Sequence, residues 1–286
     1  MIIKEHTVKT KSRHKIRLGE PLAIGGQATA YPATDLSTGT FGIVKLFHDQ
    51  FVTSATEQRI DYLVSERLND ACKCIVSPDH IISDGKIMGH FCRRAKGASL
   101  DELLQKGLPL TQRIQASIAL THVANEFENR DIAHGDYRAD NVLAHKTGSV
   151  IEVHIIDMDN FAAPSAPPPD CIGDLLYLAP ELRISMNTGS PILPDILSDR
   201  FAMGAMLHEI ILLKHPASGH DDTPERFDET MSAGVWVHDP VRANTHTMAG
   251  GAPAEILNSP YMKLFRRSFP LDKIERPPAD ALNKGR

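Results

Sequence analysis

The first ninety residues are patterned as short extended runs around one helix, and beyond Ser99 the spacing becomes helical. Phe41-Gly42-Ile43-Val44-Lys45-Leu46-Phe47 is an apolar strand carrying a single lysine. Leu18 to Ala33 reads as two extended runs around the turn Ile24-Gly25-Gly26-Gln27-Ala28. Ile81-Ile82, Asp84-Gly85 and Ile87 to Cys92 form a hairpin pattern. Between them, Ile60, Leu63, Val64 and Leu68 recur at helical spacing over Thr53 to Asn69, with Thr53 or Ser54 as the N-cap. After the link Lys96-Gly97-Ala98, Ser99 to Gln105 predicts a short helix. Thr111 predicts the cap of a long helix to about Asn129, with Ala116, Leu120, Val123 and Phe127 on one face. Two short strands, Asn141 to Ala144 and Val153 to Ile156, precede an irregular proline-rich loop, Ala162 to Cys171. Asp199 to Leu213 reads as a buried core helix. The chain therefore divides into a small β-rich part, 1–96, and a larger helical part, 97–286, and a site is expected in the cleft between them.

Composition narrows the classes without naming one. The 286 residues are 42% hydrophobic and 23% charged, which excludes a disordered or coiled-coil chain. A chain of this length buries enough surface to fold without a metal or disulfide staple. A net charge of −5 argues against a general binder of nucleic acid or membrane surfaces, so no nucleic-acid partner is expected. Cys72, Cys74, Cys92 and Cys171 match no zinc framework and read as buried, reduced thiols of a cytoplasmic protein. Met1 to His6 carries no apolar signal core, and Phe201 to Leu213, broken by His208 and Glu209, is too short and polar to span a membrane. The 14 histidines show no paired ligand spacing.

Chemistry concentrates in three places. In His134-Gly135-Asp136-Tyr137-Arg138-Ala139-Asp140-Asn141, Asp136 and Asn141 sit on one loop and can converge on a metal–phosphate site. Ile155-Ile156-Asp157-Met158-Asp159 then puts an acid at the end of an apolar strand. Asn141 and Asp157 supply the hard oxygen ligands that suit Mg²⁺, leaving Asp136 to orient a hydroxyl nucleophile. Lys45 can neutralise phosphate oxygens, and the turn Gly25-Gly26-Gln27 can lie over them. Asp159 reads as a solvated or structural carboxylate.

In this order the residues resemble the protein-kinase superfamily. Leu178-Ala179-Pro180-Glu181 is similar to the Ala-Pro-Glu that closes an activation segment, Asp199-Arg200-Phe201-Ala202-Met203-Gly204 to the Asp-x-Trp-x-x-Gly that opens the central helix, and Arg276-Pro277 to the late arginine that pairs with that glutamate. Gly135-Asp136-x-x-x-x-Asn141 with Ile156-Asp157-x-Asp159-x-Phe161 further resembles a bacterial kinase group encoded beside phosphatases and von Willebrand-type proteins. The resemblance implies an α+β, two-lobed kinase-like fold with N-lobe 1–96 and C-lobe 97–286. It also implies transfer of the γ-phosphoryl group of ATP, with Mg²⁺, to Ser/Thr hydroxyls of a protein, and a protein substrate or regulatory partner. In it Lys45 holds the α/β-phosphates, a helix acid steadies Lys45, Asp136 accepts the hydroxyl proton, and Arg138 stabilises the transferring group. At 100° per residue the apolar set of the Thr53–Asn69 helix centres about 45° from Glu57 and about 135° from Glu66. Glu57 is therefore the expected acid, with Glu66 the alternative.

The sequence also departs from the family. Ala23 and Ala28 stand at the first and third positions of Gly-x-Gly-x-x-Gly, and Gly135 stands where the catalytic loop has an arginine. Gly135 offers no cation to a phosphate on the activation segment, so activity is expected to be independent of phosphate there. His-Gly-Asp-x-x-x-x-Asn is also the form seen in aminoglycoside phosphotransferases, which makes a small-molecule kinase one alternative. A pseudokinase scaffold, suggested by the altered glycine turn, is the other.

Overall fold

The computed structural model describes residues 7–170, 173–190 and 192–218, and in the C-terminal part 223, 229–231, 233, 263, 265 and 267–283. The chain is mixed α and β, with a β-sheet in its N-terminal region and helices later. The first sheet contains β1 (Thr7–Lys9), β2 (Lys15–Leu18), β3 (Ala23–Ile24), β4 (Ala28–Asp35), β5 (Phe41–Phe47), β6 (His80–Asp84) and β7 (Ile87–Arg93). Its order is β1-β2-β4-β5-β7-β6, with β3 paired to β4. The residues after β1 return to the far edge: Thr10 bridges Ile82, and Lys11 N donates to Ile81 O at 2.9 Å. The sheet therefore curls until its two outer strands meet, which removes the open edges that invite aggregation.

Alternation along the strands gives this sheet two different faces. Val8, Ile16, Leu18, Ala33, Val44, Ile82 and Phe91 fill the inside of the curl. On the other face Ala28, Phe47, Ile81 and Met88 pack with Ile60 of helix α1 (Ser54–Glu66). Thr53 caps α1, accepting from Thr56 N, and settles the choice between Thr53 and Ser54. Arg67 breaks the helix in a left-handed conformation, and a second short helix, α2 (Leu68–Ala71), follows.

The helical part packs around α4 (Leu110–Glu128) and α6 (Ile196–Leu212), preceded by α3 (Leu100–Gln105) and with α5 (Pro180–Asn187) between. Ala116, Leu120, Val123 and Phe127 of α4 are all buried in the main core, as their spacing predicts. Two predicted helix starts move. Helix α4 enters from Pro109 with no side-chain cap, so Thr111 lies inside the first turn. Helix α6 begins before Asp199, because Asp195 and Ser198 form a reciprocal capping box.

The strands β9 (Val142–Thr147) and β10 (Val150–Ile155) extend beyond their apolar cores into a hairpin closed by Gly148-Ser149. Strand β8 (Ala98–Ser99) completes this second sheet. Ala163 to Asp170 carries no helix or strand, as the prolines require, and Cys171 lies outside the described residues. Cys92 is buried, whereas Cys72 and Cys74 are only partly so, because they lie at the extended exit of α2 rather than within a core strand. Among the described residues no helix is long and apolar enough to cross a membrane.

Candidate functional site

The register of the second hairpin brings two predicted ligands to one end. Ile155 pairs with Val142, and Ile156 N donates to Asn141 O at 2.9 Å, so Asn141 and Asp157 leave their strands side by side. Asp157, two residues past the end of β10, adopts a left-handed backbone, φ 65° and ψ 64°, which turns the chain out of the strand direction. Across from it, β5 and β7 pair Lys45 with His90 and Ile43 with Cys92. A cavity of about 240 Å³ opens between the sheets, lined by apolar Ile43, Cys92, Leu143 and Met158 and by polar Lys45 and Asp157.

Lys45 Nζ donates to Asp157 Oδ1 at 2.6 Å and to Asp159 Oδ2 at 2.9 Å. Asp159 is buried, and its other oxygen lies 3.1 Å from His90 Nε2. Of the two readings of Asp159, solvated or structural, the structure supports the second: a buried carboxylate between two cations. Burial favours the neutral acid, but Lys45 and His90 outweigh it and hold Asp159 below the ordinary carboxylate range. Burial likewise opposes the charge on Lys45, and Asp159 with Asp157 more than restores it, raising its pKa. On His90 burial is again outweighed, by Cys92 and Asp159, and the imidazole is pushed up to about 10.

A histidine raised in the folded state stabilises fully below its unfolded pKa of about 6.5 and loses that contribution as pH climbs to about 10. The His90 imidazole, assigned in NMR spectra by its loss in His90→Gln, should thus remain protonated at pH 8. In Asp159→Asn its titration should fall by more than one unit. A wild-type His90 titrating near 6.5 would remove the charge cluster from the site.

Glu57 is not the partner of Lys45. Its carboxylate lies 3.3 Å from Lys11 Nζ, which also contacts Asp61 at 2.6 Å. Glu66 meets Arg130 at 3.2 Å. The apolar stripe of α1 does face the sheet, but the residues buried on the N-terminal side of Ile60 are Thr56 and Arg59. Arg59 donates to Pro168 O at 2.8 Å and pairs with Asp170, so this face of the helix holds the proline-rich loop rather than Lys45. A helical wheel gives the direction of a side chain relative to its own helix and not the element that it meets.

The catalytic-loop candidates form a second cluster. His134 is fully buried; its Nδ1 accepts from Asp136 N at 3.2 Å and its Nε2 donates to Ile156 O at 3.1 Å. One ring thereby ties the Asp136 loop to the strand end carrying Asp157. Burial keeps this imidazole neutral, lowering its pKa against the pull of Asp136. Gly135 has φ 76°, and a Cβ there would lie 2.5 Å from Asn160 O, so only glycine fits. Asp199 anchors the same turn, accepting from Gly135 N at 3.1 Å and His134 N at 2.5 Å.

Asp136 Oδ2 accepts from Asn141 Nδ2 at 2.8 Å, and Oδ1 from Asp174 N at 3.0 Å. Arg138 pairs with Asp174 at 3.1 Å and stands 3.9 Å from Asp136. Gly173 permits this approach, since a Cβ there would sit 2.2 Å from Gly135 O. Asp174 is thus a site residue that the sequence reading missed. The signal available was an acid seven residues before Glu181, complementary to Arg138.

The turn Gly25-Gly26-Gln27 is closed by Gly25 N to Ala28 O at 2.9 Å and does not line the cavity. Glu181 and Arg276 form a buried bidentate pair, both contacts at 2.8 Å. Tyr177 packs in the core with its hydroxyl on Glu209. No family model matches the sequence, and no curated protein is significantly similar to it.

Proposed function

We propose that this chain is an ATP- and Mg²⁺-dependent phosphotransferase of two-lobed, protein-kinase-like architecture that phosphorylates Ser/Thr hydroxyls of a protein. The observation that supports this best is the juxtaposition of Lys45 and Asp157, at 2.6 Å, on the wall of an apolar cavity of about 240 Å³. An apolar slot ending in a cation and a carboxylate suits a flat base joined to a phosphate chain. Asn141 and Asp157, emerging from adjacent strand ends, offer oxygen donors of the kind that Mg²⁺ takes. The ion would neutralise phosphate charge. Lys45 would bind the α/β-phosphates and Asp136 would orient the incoming hydroxyl and take its proton. Arg138, held by Asp174, would face the transferring group, and Asp159 would do for Lys45 what was expected of Glu57.

Incubation with labelled ATP and Mg²⁺ tests this reading directly. Label on a generic protein substrate or on the chain itself is the expected result. Label only on an added aminoglycoside would favour a small-molecule kinase. Binding without transfer would favour a scaffold. Nucleotide binding has its own test. At a hundredfold excess over Kd, Mg-ATP stabilises a protein by about 2.7 kcal/mol. Asp157→Ala, weakening binding at least tenfold, should remove about 1.4 kcal/mol or more of that stabilisation. An unchanged Mg²⁺-dependent thermal shift would put the metal elsewhere.

A further inference from the structure

We propose that His14, Asp35 and His80 form a zinc site at the seam where the N-terminal sheet closes on itself. The three residues come from separate segments: the turn entering β2, the end of β4 and the start of β6. One donor atom from each lies within 4.8 Å of the others. His14 Nδ1 is 3.0 Å from Asp35 Oδ2. A tetrahedral zinc ion with bonds of ~2.0–2.2 Å needs ligand edges of ~3.3–3.5 Å. The His14–Asp35 pair is near that spacing already. His80 has to close by ~1.5 Å at most, which a side-chain rotation supplies.

The chemistry of the donors selects the ion. Two imidazoles and one carboxylate, with a fourth position for water, suit Zn²⁺ and not the oxygen-rich shells of Mg²⁺ or Ca²⁺. Asp35 is buried at 1% exposure, and its second oxygen accepts from Ser37 N at 2.8 Å, which fixes the carboxylate that faces His14. The His80 backbone pairs with Phe91 in the sheet, but its ring makes no hydrogen bond to any described residue. Its ring contacts are His14, with centroids 4.8 Å apart, and Phe91, at 6.1 Å. Its nitrogens are therefore not committed to holding the fold. An ion here would join β2, β4 and β6 beside the links that close the curl: the Thr10–Ile82 bridge, the backbone bond from Lys11 and the bond from Lys9 N to Asp84. The ion would act as a cross-link between these strands, and the site stands or falls independently of phosphoryl transfer.

The test is a zinc titration of the full chain after chelator treatment, followed by calorimetry and thermal unfolding. The wild type should bind one zinc equivalent more than His14→Ala/His80→Ala and gain thermal stability that the double variant does not. His80→Ala alone should weaken that equivalent at least tenfold while keeping the metal-free unfolding temperature within a few degrees, since it breaks no hydrogen bond. Mg²⁺ without nucleotide should produce no comparable shift. Equal zinc stoichiometry and equal stabilisation in the wild type and His80→Ala would overturn the proposal, leaving the His14–Asp35 contact as a hydrogen bond of the turn.

Discussion

Asp136→Asn should lower phosphoryl transfer by on the order of 10²–10⁴-fold while leaving ATP binding intact. The change keeps the shape of the side chain and removes its capacity to accept a proton. The cost to the fold can be bounded from the contacts. Each carboxylate oxygen now accepts one hydrogen bond, from Asn141 Nδ2 and from Asp174 N. An asparagine has one acceptor oxygen, so one of the two donors is left unmatched, at about 1–3 kcal/mol. That is a fraction of the ~5–15 kcal/mol stability of a typical domain, so the variant should fold and be assayable. Under the phosphotransferase reading ATP would lie toward Lys45 and the apolar cavity, away from the altered oxygen, and should still raise the unfolding temperature as in the wild type. A variant transferring phosphate at the wild-type rate would show that Asp136 is not the proton acceptor. Loss of both binding and turnover would instead point to collapse of the loop that Asp136 joins to Asp174.

Much of the fold was legible because it follows local periodicity. Strand β5 occupies the apolar run Phe41–Phe47, and the buried face of α4 is the one its spacing gives. Boundaries failed where a neighbour decided them: Asp199 reads as the start of the core helix, but Asp195 and Ser198 cap it four residues earlier, and the Asp199 carboxylate accepts from the His134 and Gly135 backbone. The candidate site was legible where motif and strand register coincide, as with Lys45, Asp136, Asn141 and Asp157. It was illegible where partners meet from distant elements. His90 of the first sheet and Asp159, just past the second, meet side chain to side chain across 69 residues, and no spacing rule announces them. The same holds for His14, Asp35 and His80, whose donors are scattered through a chain with 14 histidines.

Asp159→Asn should damage the protein far more than Glu57→Gln or Glu66→Gln. Asp159 is 7% exposed and lies between Lys45 and His90, the first 23% and the second 5% exposed. Removing its charge leaves two cations facing each other with only the half-open Asp157 between them and solvent, and breaking such a buried pair costs about 3–5 kcal/mol. The pH dependence has a definite sign. The depressed carboxylate stabilises above its unfolded pKa of about 3.9, and the raised histidine stabilises fully below about 6.5. The wild type should therefore exceed Asp159→Asn in stability most between pH 4 and 6.5, and the gap should narrow as pH rises toward 10, where His90 is losing its proton. Under the phosphotransferase reading, Lys45 also loses its buried anchor, and kcat should fall by about 10–100-fold, equivalent to ~1.4–2.7 kcal/mol. Glu57 binds Lys11 at the surface, where an ion pair contributes about 0–1 kcal/mol, and Glu66 binds Arg130 in a half-buried pair away from Lys45, so both glutamine variants should keep activity within about threefold of wild type. Equal losses in Asp159→Asn and Glu57→Gln would return the helix acid to its expected role. They would also require α1 to rotate from its contact with Asp170 toward the cleft during turnover.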